Sequence, residues 1–161
     1  MSSKKLVLLA LLTALCAVGG FIKIPSPTGT VALDSLPGFL AAALLGGRGG
    51  AAVGFLGHLF SAATVGFPLG LPVHLYVGLQ MAVYVSIFGY LYRKGHKVPA
   101  VIIAIVLNGA VAPLLLVPIY GPGFFAMMLP ALTVGSAVNI ILAAVLAQVA
   151  VIKKVGRGLD T

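Results

Sequence analysis

Long apolar runs alternate with short connections rich in glycine, proline or charge along the whole chain. A helix that crosses a bilayer needs about 20 mainly apolar residues, and most of these runs approach that length. The pattern predicts an all-α membrane protein with six transmembrane helices in a single integral domain, residues 1–161. The predicted spans are Leu6–Ile22, Val31–Leu45, Ala51–Phe67, Leu69–Tyr92, Val98–Ile119 and Met127–Ile152. The second span is short, so we expect it to be tilted, buried or locally irregular.

The long connection after the first span has an unusual sequence, FIKIPSPTGTVALDSLP, at residues 21–37. Its prolines fix their own φ angles and bias the preceding residues towards extended backbone, while its glycine can bend freely. Irregular backbone is not tolerated in lipid, so the loop must cover a mouth or line a cavity. We predict that it forms an outer lid, although an ordinary connector is the alternative. The predicted lid residues are Lys23, Pro25, Pro27, Gly29 and Thr30.

Composition and charge support this membrane topology. The chain is 61% hydrophobic and 7% charged, which is more apolar surface than a soluble domain of 161 residues can bury. If the spans alternate in direction, nine of the ten lysines and arginines fall on one side and Lys23 alone falls on the other. Such asymmetry predicts that both termini are cytoplasmic. The net charge of +8 is then a topological signal, and nucleic-acid binding is not expected. The nine are Lys4, Lys5, Arg48, Arg93, Lys94, Lys97, Lys153, Lys154 and Arg157.

Polar side chains inside the spans are the candidate site, because they are costly in a bilayer. Several recur at helical spacing: His58 and Ser61 share one face of the third span, and Ser136 and Asn139 share one face of the sixth. Asn108 precedes Pro113, whose ring removes a helical hydrogen bond. We predict that the polar set converges beneath the lid and binds a substrate. Its members are Asp34, His58, Ser61, His74, Tyr76, Asn108, Tyr120, Ser136 and Asn139.

Several kinds of chemistry lack the residues that they need. The predicted spans contain no Asp or Glu, so a carboxylate proton relay is not expected. There is no phosphate-binding glycine loop and no spacing typical of a nucleophile and its base. Cys16 is the single cysteine, which excludes a disulfide framework and a cysteine metal site. We therefore expect no catalytic residues, no metal and no cofactor.

Small residues on the first span form a surface that a second helix could approach closely. Ala10 and Ala14 have the small-xxx-small spacing, and Ala17 continues the face. Packing within the bundle is one interpretation. Docking of a separate membrane subunit is the other.

Taken together, these residues resemble a known family, the substrate-binding S components of energy-coupling factor (ECF) vitamin transporters. The features that match are the small size, the six spans, the alanine pair of span one, the long first loop before a short helix, and Asn139. The resemblance implies that the alanine face meets a transmembrane T subunit and that two cytoplasmic ATPases drive the complex. It also implies a multi-pass protein of a prokaryotic cell membrane that binds a vitamin from outside, beneath the first loop.

Within the family, residues 20–39 and 66–74 look like proteins assigned to the uptake of α-ribazole, a benzimidazole riboside that is a precursor of cobalamin. A small neutral ring-containing ligand suits a site of aromatic, amide and hydroxyl groups. Cobalamin, pantothenate, and folate-like or flavin-like vitamins remain alternatives. A solitary homo-oligomeric channel or carrier, with His58 and His74 lining its path, is a hypothesis from another class, and a small membrane enzyme has the least support.

Overall fold

The computed structural model describes residues 2–26 and 29–149, and within them the chain is mainly helical. The predicted helical fold class is confirmed. The helices are α1 (Ser3–Gly19), α2 (Leu36–Leu45), α3 (Gly47–Ala63), α4 (Leu71–Arg93), α5 (Lys97–Val106), α6 (Ala112–Leu114), α7 (Val117–Tyr120) and α8 (Pro122–Leu146). A π-helical segment, Leu107–Val111, joins α5 to α6. Pro27, Ile152 and the cations Lys153, Lys154 and Arg157 lie outside the described residues.

Among the described residues, three helices are long and apolar enough to cross a membrane: α4, the interrupted helix Lys97–Tyr120, and α8. Helices α1 and α3 have 17 residues each. At about 1.5 Å per residue each is roughly 25 Å long, slightly less than a hydrocarbon core of about 30 Å. Helix α2 has only 10 residues, and a helix of about 15 Å does not cross by itself. Six complete spans therefore stay a prediction.

The first loop contains two short strands that were not predicted from the sequence. Strands β1 (Lys23–Ser26) and β2 (Gly29–Ala32) pair in antiparallel register, with Ile24 opposite Val31. Extended backbone is favoured here because proline biases its neighbours away from the helical region and because β-branched residues suit a strand. The described parts of the first loop therefore form a two-stranded hairpin above the bundle.

The hairpin changes the boundaries of the first two helices. The predicted start of the second span at Val31 is wrong, because Val31 lies in β2 and α2 begins at Leu36. Helix α1 ends at Gly19 instead of Ile22, and the Leu33 N–H donates to the Ile22 carbonyl oxygen at 3.1 Å. A side chain at Gly19 would collide with the Leu33 carbonyl. Glycine at this position lets the returning strand lie directly against the end of α1.

The turn between α3 and α4 is longer than the sequence predicted. Helix α3 ends at Ala63 instead of Phe67, because Gly66 and Phe67 have positive φ angles of 74° and 52°. Helix α4 begins at Leu71, directly after Gly70, whose φ is 80°. Left-handed backbone cannot continue a right-handed helix, so these residues form a separate turn at the hairpin end of the bundle.

Tight packing fills the half of the bundle furthest from the hairpin. A Cβ atom at Gly50 would collide with Ala42, and one at Gly89 would lie 2.8 Å from the Ala42 Cβ. Helices α2, α3 and α4 therefore approach closely. Phe39 and Phe88 fill the space beside them, with ring centroids 5.3 Å apart in an edge-to-face arrangement. This half of the molecule contains a closely packed hydrophobic core.

The π-helical segment follows from the position of Pro113. Proline has no N–H, so the helical ladder must change around it. The Ala112 N–H donates to the carbonyl oxygen of Leu107, five residues earlier. A Cβ atom at Gly109 would lie 2.8 Å from the Cα of Thr133, so this segment presses closely against α8. Such segments re-aim side chains, and this one carries Asn108.

Candidate functional site

A cavity of about 460 Å³ lies beneath the hairpin, between α1, α3, α4, the π-helical segment and α8. This volume is in the range of sites for drug-sized ligands, roughly 300–1,000 Å³. Its polar lining consists of Asp34, Ser35, His58, Ser61, His74, Asn108, Ser136 and Asn139. Its apolar lining includes Cys16, Val65, Leu69, Val77, Met81, Leu116, Phe124, Met128 and Leu132. Among the described residues, no lysine or arginine lines the cavity.

The two predicted histidines contact each other. His74 Nδ1 lies 3.2 Å from His58 Nε2, and the Leu69 N–H donates to His74 Nε2 at 3.4 Å. A backbone N–H can only donate, so His74 Nε2 is the acceptor and the proton of the neutral ring is on Nδ1. The His74 Nδ1–H therefore donates to His58 Nε2. Because Nε2 of His58 accepts, the proton of that ring is on Nδ1, and this N–H can donate to a further group. The pair is therefore a neutral, oriented hydrogen-bonding group in the cavity wall.

Among the described residues, Asp34 is the single acidic side chain that lines the cavity. The Ser61 hydroxyl donates to it, and so do the backbone N–H groups of Asp34 and Ser35. Burial raises the pKa of the Asp34 carboxyl above its ordinary value, and these hydrogen bonds partly offset the rise. A Cβ atom at Gly20 would lie 2.7 Å from the Ser61 Oγ, so α1 also packs against this pair. Asp34 keeps partial access through the cavity and offers strong acceptor oxygens to a ligand.

Asn139 is almost fully buried, and its amide makes hydrogen bonds to three backbone groups. Its Oδ1 accepts from the Leu36 N–H at 2.8 Å. Its Nδ2 donates to the carbonyl oxygens of Ala32 at 3.1 Å and Gly135 at 2.8 Å. Both amide hydrogens are therefore used, and Asn139 ties the end of β2 and the start of α2 to α8.

Asn108 and Ser136 form a second polar contact across the cavity wall. Asn108 Nδ2 donates to the Ser136 Oγ at 3.0 Å. The Asn108 amide oxygen is not used in that bond, and neither is the Ser136 hydroxyl proton. This pair can therefore both donate to and accept from a ligand.

Other predicted residues lie elsewhere. Tyr76 is 40% exposed on the outer face of α4 and does not line the cavity. Tyr120 is not a lining residue either, but its hydroxyl donates to the Leu69 carbonyl at 3.2 Å. Its ring stacks on Phe124, with centroids 4.9 Å apart, and Phe124 lines the cavity. Gln80, also in α4, is buried away from the cavity, and its amide has no hydrogen-bond partner within the described residues.

Sequence reasoning missed the apolar wall of the cavity. Met81, Met128 and Leu132 lie among the polar residues, but in the sequence they are indistinguishable from other apolar helix positions. Only a three-dimensional packing arrangement separates them from lipid-facing residues. Ser35 follows the predicted Asp34 directly, and that adjacency is the one signal that could have identified it.

The alanine face of α1 is directed away from the bundle. Ala10 and Ala14 are exposed, whereas Leu12, Thr13 and Cys16 on the opposite face are buried. Within the described residues, Ala10 and Ala14 are therefore not used for packing, whereas Ala17 is half-buried. Docking of another subunit there stays a prediction.

Comparison with known proteins bears on both the fold and the family of this chain. A solved structure described as the S component of a bacterial ECF transporter covers 100% of both chains with a TM-score of 0.66 and 20% identity, which shows a shared fold. A probable biotin transporter, BioY, of Lysinibacillus sphaericus is 38% identical over 113 residues, which are 70% of this chain. The chain spans about half (53%) of the length of that curated relative. The model of the family described as "ECF transporter, substrate-specific component" matches residues 4–151. The chain therefore belongs to the family of substrate-specific components of ECF transporters.

Proposed function

We propose that this protein is the substrate-binding subunit of an ATP-driven ECF importer and that its ligand is a small neutral ring-containing vitamin precursor, with α-ribazole as the best candidate. The observation that carries the proposal is the cavity itself, which has amide, hydroxyl, imidazole and carboxylate groups around an apolar wall and no cation in its described lining. As a transport subunit it is not an enzyme.

The polar groups of the cavity match the chemistry of a riboside. A ribose diol donates hydrogen bonds, and the Asp34 carboxylate accepts them strongly. The His58 Nδ1–H and the Asn108 amide can bond to ring nitrogen and hydroxyl oxygen. A benzimidazole ring would lie against Phe124 and Met81, because aromatic and sulfur-containing side chains pack well on a flat ring.

Biotin is the second candidate, because the BioY relative that is 38% identical is a probable biotin transporter. Its fused ring system is neutral and fits the same wall. Its carboxylate is the difficulty, because a buried charge without a partner is costly and the described lining offers Asp34 but no cation. Biotin would have to place its carboxylate at the mouth or bind in protonated form.

The same proposal includes the orientation of the protein in the membrane and its partner subunits. S components of this family pair with a T subunit and ATPase subunits. We place both termini in the cytoplasm of a prokaryotic cell, the hairpin outside as the lid, and the exposed Ala10–Ala14 face against the T subunit. Nine of the ten lysines and arginines then lie on the cytoplasmic side, in agreement with the positive-inside rule, and Lys23 in the hairpin is the exception.

Binding measurements on the purified protein test the ligand assignment. Isothermal titration with α-ribazole, biotin, biotinamide, pantothenate and cobalamin should show one site that prefers α-ribazole. Biotinamide is the matched control for biotin, because it lacks only the charge.

Asp34→Asn should weaken α-ribazole binding about tenfold, since a hydrogen bond to a charged group is worth roughly 1.5–3 kcal/mol. Tighter binding of biotin than of α-ribazole would overturn the ligand and keep the transporter role. Failure of every vitamin to bind would overturn both.

A further inference from the structure

A basic groove lies at the end of the bundle opposite the cavity. It is formed where α2 ends, α3 begins and α4 ends, and its volume is about 570 Å³. Arg48, Arg93 and Lys94 supply its charge, and Ser86 and Tyr90 are among the residues of its wall. None of these residues takes part in the candidate substrate site.

The positive charge of the groove is not balanced within the described part of the chain. The acidic side chain there is Asp34, which lies beneath the hairpin at the other end. Arg93 is held in place because its Nη1 donates to the Leu44 carbonyl at 2.9 Å. The Lys94 Nζ lies 5.6 Å from the centroid of the Tyr90 ring. The cations are therefore concentrated around one space, and no carboxylate of the described residues lies there.

The first turn of α3 adds to the positive potential. Gly46 is its N-cap, and it has no side chain to accept from the free N–H groups that follow. The first N–H groups of a helix carry a partial positive charge and need an acceptor. Gly46 has a φ of 91° and lies close to the Arg93 guanidinium, so the helix end and the fixed cation adjoin.

An apolar stripe continues from the groove along the outer face of α4. Leu79, Val83, Ser86 and Tyr90 follow one another at intervals of four, three and four residues, so they share one face. Leu79 is 59% exposed, Val83 55% and Tyr90 63%. A cationic site with an apolar stripe below it and a tyrosine between them has the layout of a membrane interface.

We propose that this groove binds the phosphate of an anionic phospholipid, whose acyl chains lie along the Leu79–Val83 stripe of α4. The cations and the free N–H groups of α3 recognise the phosphodiester, and Ser86 and Tyr90 face the glycerol region. An acidic peptide would satisfy the charges but leave the stripe, which belongs to a membrane-crossing helix, uncovered. The proposal rests on the placement of α4 in a membrane and is independent of the transported ligand.

Native mass spectrometry of the purified, delipidated protein tests the proposal with phosphatidylglycerol and the zwitterionic phosphatidylcholine as probes. We expect one tightly bound phosphatidylglycerol and no comparable phosphatidylcholine. Each basic residue near a membrane surface contributes about 1 kcal/mol to anionic lipid binding, which is about a fivefold change in affinity. The double variant Arg48→Gln, Lys94→Gln should therefore bind phosphatidylglycerol roughly 25-fold more weakly. Arg93 is left intact because it also binds the Leu44 carbonyl.

The matched control is Lys5→Gln with Lys97→Gln, which removes the same charge at the same end of the bundle but outside the groove. The melting temperature of each purified variant reports whether the fold is intact. If the double variant does not fold, the single variant Lys94→Gln carries the test, because Lys94 is exposed. Equal loss in the control variant, or equal binding of the two lipids, would overturn the proposal. Full displacement of phosphatidylglycerol by millimolar inorganic phosphate would show a simple anion site and overturn it as well.

Discussion

Asn139 joins three segments of backbone with one side chain. Its amide bonds to the Leu36 N–H, the Ala32 carbonyl and the Gly135 carbonyl, so the base of the hairpin depends on α8. The sequence predicted Asn139 as a group that binds ligand directly. In the structure its remaining capacity is one lone pair on Oδ1, and we infer that it affects binding mainly by positioning the hairpin.

Asn139→Ala should weaken ligand binding about tenfold and should loosen the hairpin even without ligand. Removing the amide leaves the Leu36 N–H and the Ala32 carbonyl unpaired, at a cost of about 1–3 kcal/mol for a buried group. Hydrogen–deuterium exchange should show faster exchange of the Leu36 amide in the variant. Ser136→Ala is the control, because Ser136 bonds to Asn108 and not to the hairpin. Unchanged Leu36 exchange together with weaker binding would show that Asn139 contacts the ligand directly.

Asp34 should make the stability of the protein depend on pH in the direction opposite to that of a salt-bridged carboxylate. Its pKa is raised above the ordinary value of 3.8 by burial, with the Ser61 hydroxyl opposing the shift. At pH values between the ordinary pKa of the unfolded state and the raised pKa of the folded state, the folded state binds more protons. Stability therefore falls as pH rises through that window. Melting temperature measured from pH 4 upward, for the wild type minus Asp34→Asn, should therefore decrease with pH. The subtraction cancels the titration of groups other than Asp34. A difference that increases with pH would contradict the raised pKa.

At the scale of the elements, α1 presents different surfaces on its two sides. Leu12 and Cys16 pack into the bundle, whereas Ala10 and Ala14 face outward. A side chain at Gly57 would collide with Cys16, so α1 and α3 are already in close contact on the inner side. The outward alanines are therefore free to serve an external helix, and van der Waals contact across small residues is what drives such association in lipid.

Ala10→Trp or Ala14→Trp should abolish transport by the assembled complex and leave ligand binding by the isolated subunit unchanged within about twofold. A tryptophan would hold a partner helix away, whereas its ring can lie in lipid when the subunit is alone. Transport in vesicles and titration of the purified protein measure the two properties separately. Leu15→Trp is the control, since Leu15 is an exposed residue of α1 outside the alanine face. Wild-type transport by both alanine variants would exclude this face as the docking site.

Most of the helices could be predicted from the sequence because apolar length is a local property. The hairpin could not be predicted, because the pairing of β1 with β2 depends on where the loop lies over the bundle. Val31 and Ala32 also fit the start of an apolar helix. Within the site, His58, Ser61 and Ser136 were predictable as polar groups at helical spacing, and Asn108 as an amide that precedes Pro113. The outward position of Tyr76 was not, because a lone tyrosine in an apolar helix fits either the cavity or the lipid interface.

At the scale of the whole molecule, the described half of the bundle beneath the cavity is closely packed. There, Phe39 and Phe88 pack edge to face and the Tyr92 hydroxyl donates to the Ala144 carbonyl at 2.8 Å. Protein interiors of this kind are close-packed, so a ligand in the cavity cannot pass through them without a large rearrangement. This arrangement favours a binding subunit that needs partners over a solitary channel or carrier.

The protein reconstituted alone into vesicles should therefore bind ligand and not accumulate it. We expect labelled α-ribazole to saturate at one molecule per protein and to be released completely by an excess of unlabelled ligand. With the T subunit, the two ATPases and ATP present, the label should instead accumulate inside the vesicles and resist exchange. The complete complex without ATP is the matched control, because it retains every contact and lacks only the energy source. Accumulation by the protein alone, driven by a ligand or ion gradient, would contradict the proposed role and favour a carrier whose path runs past His58 and His74.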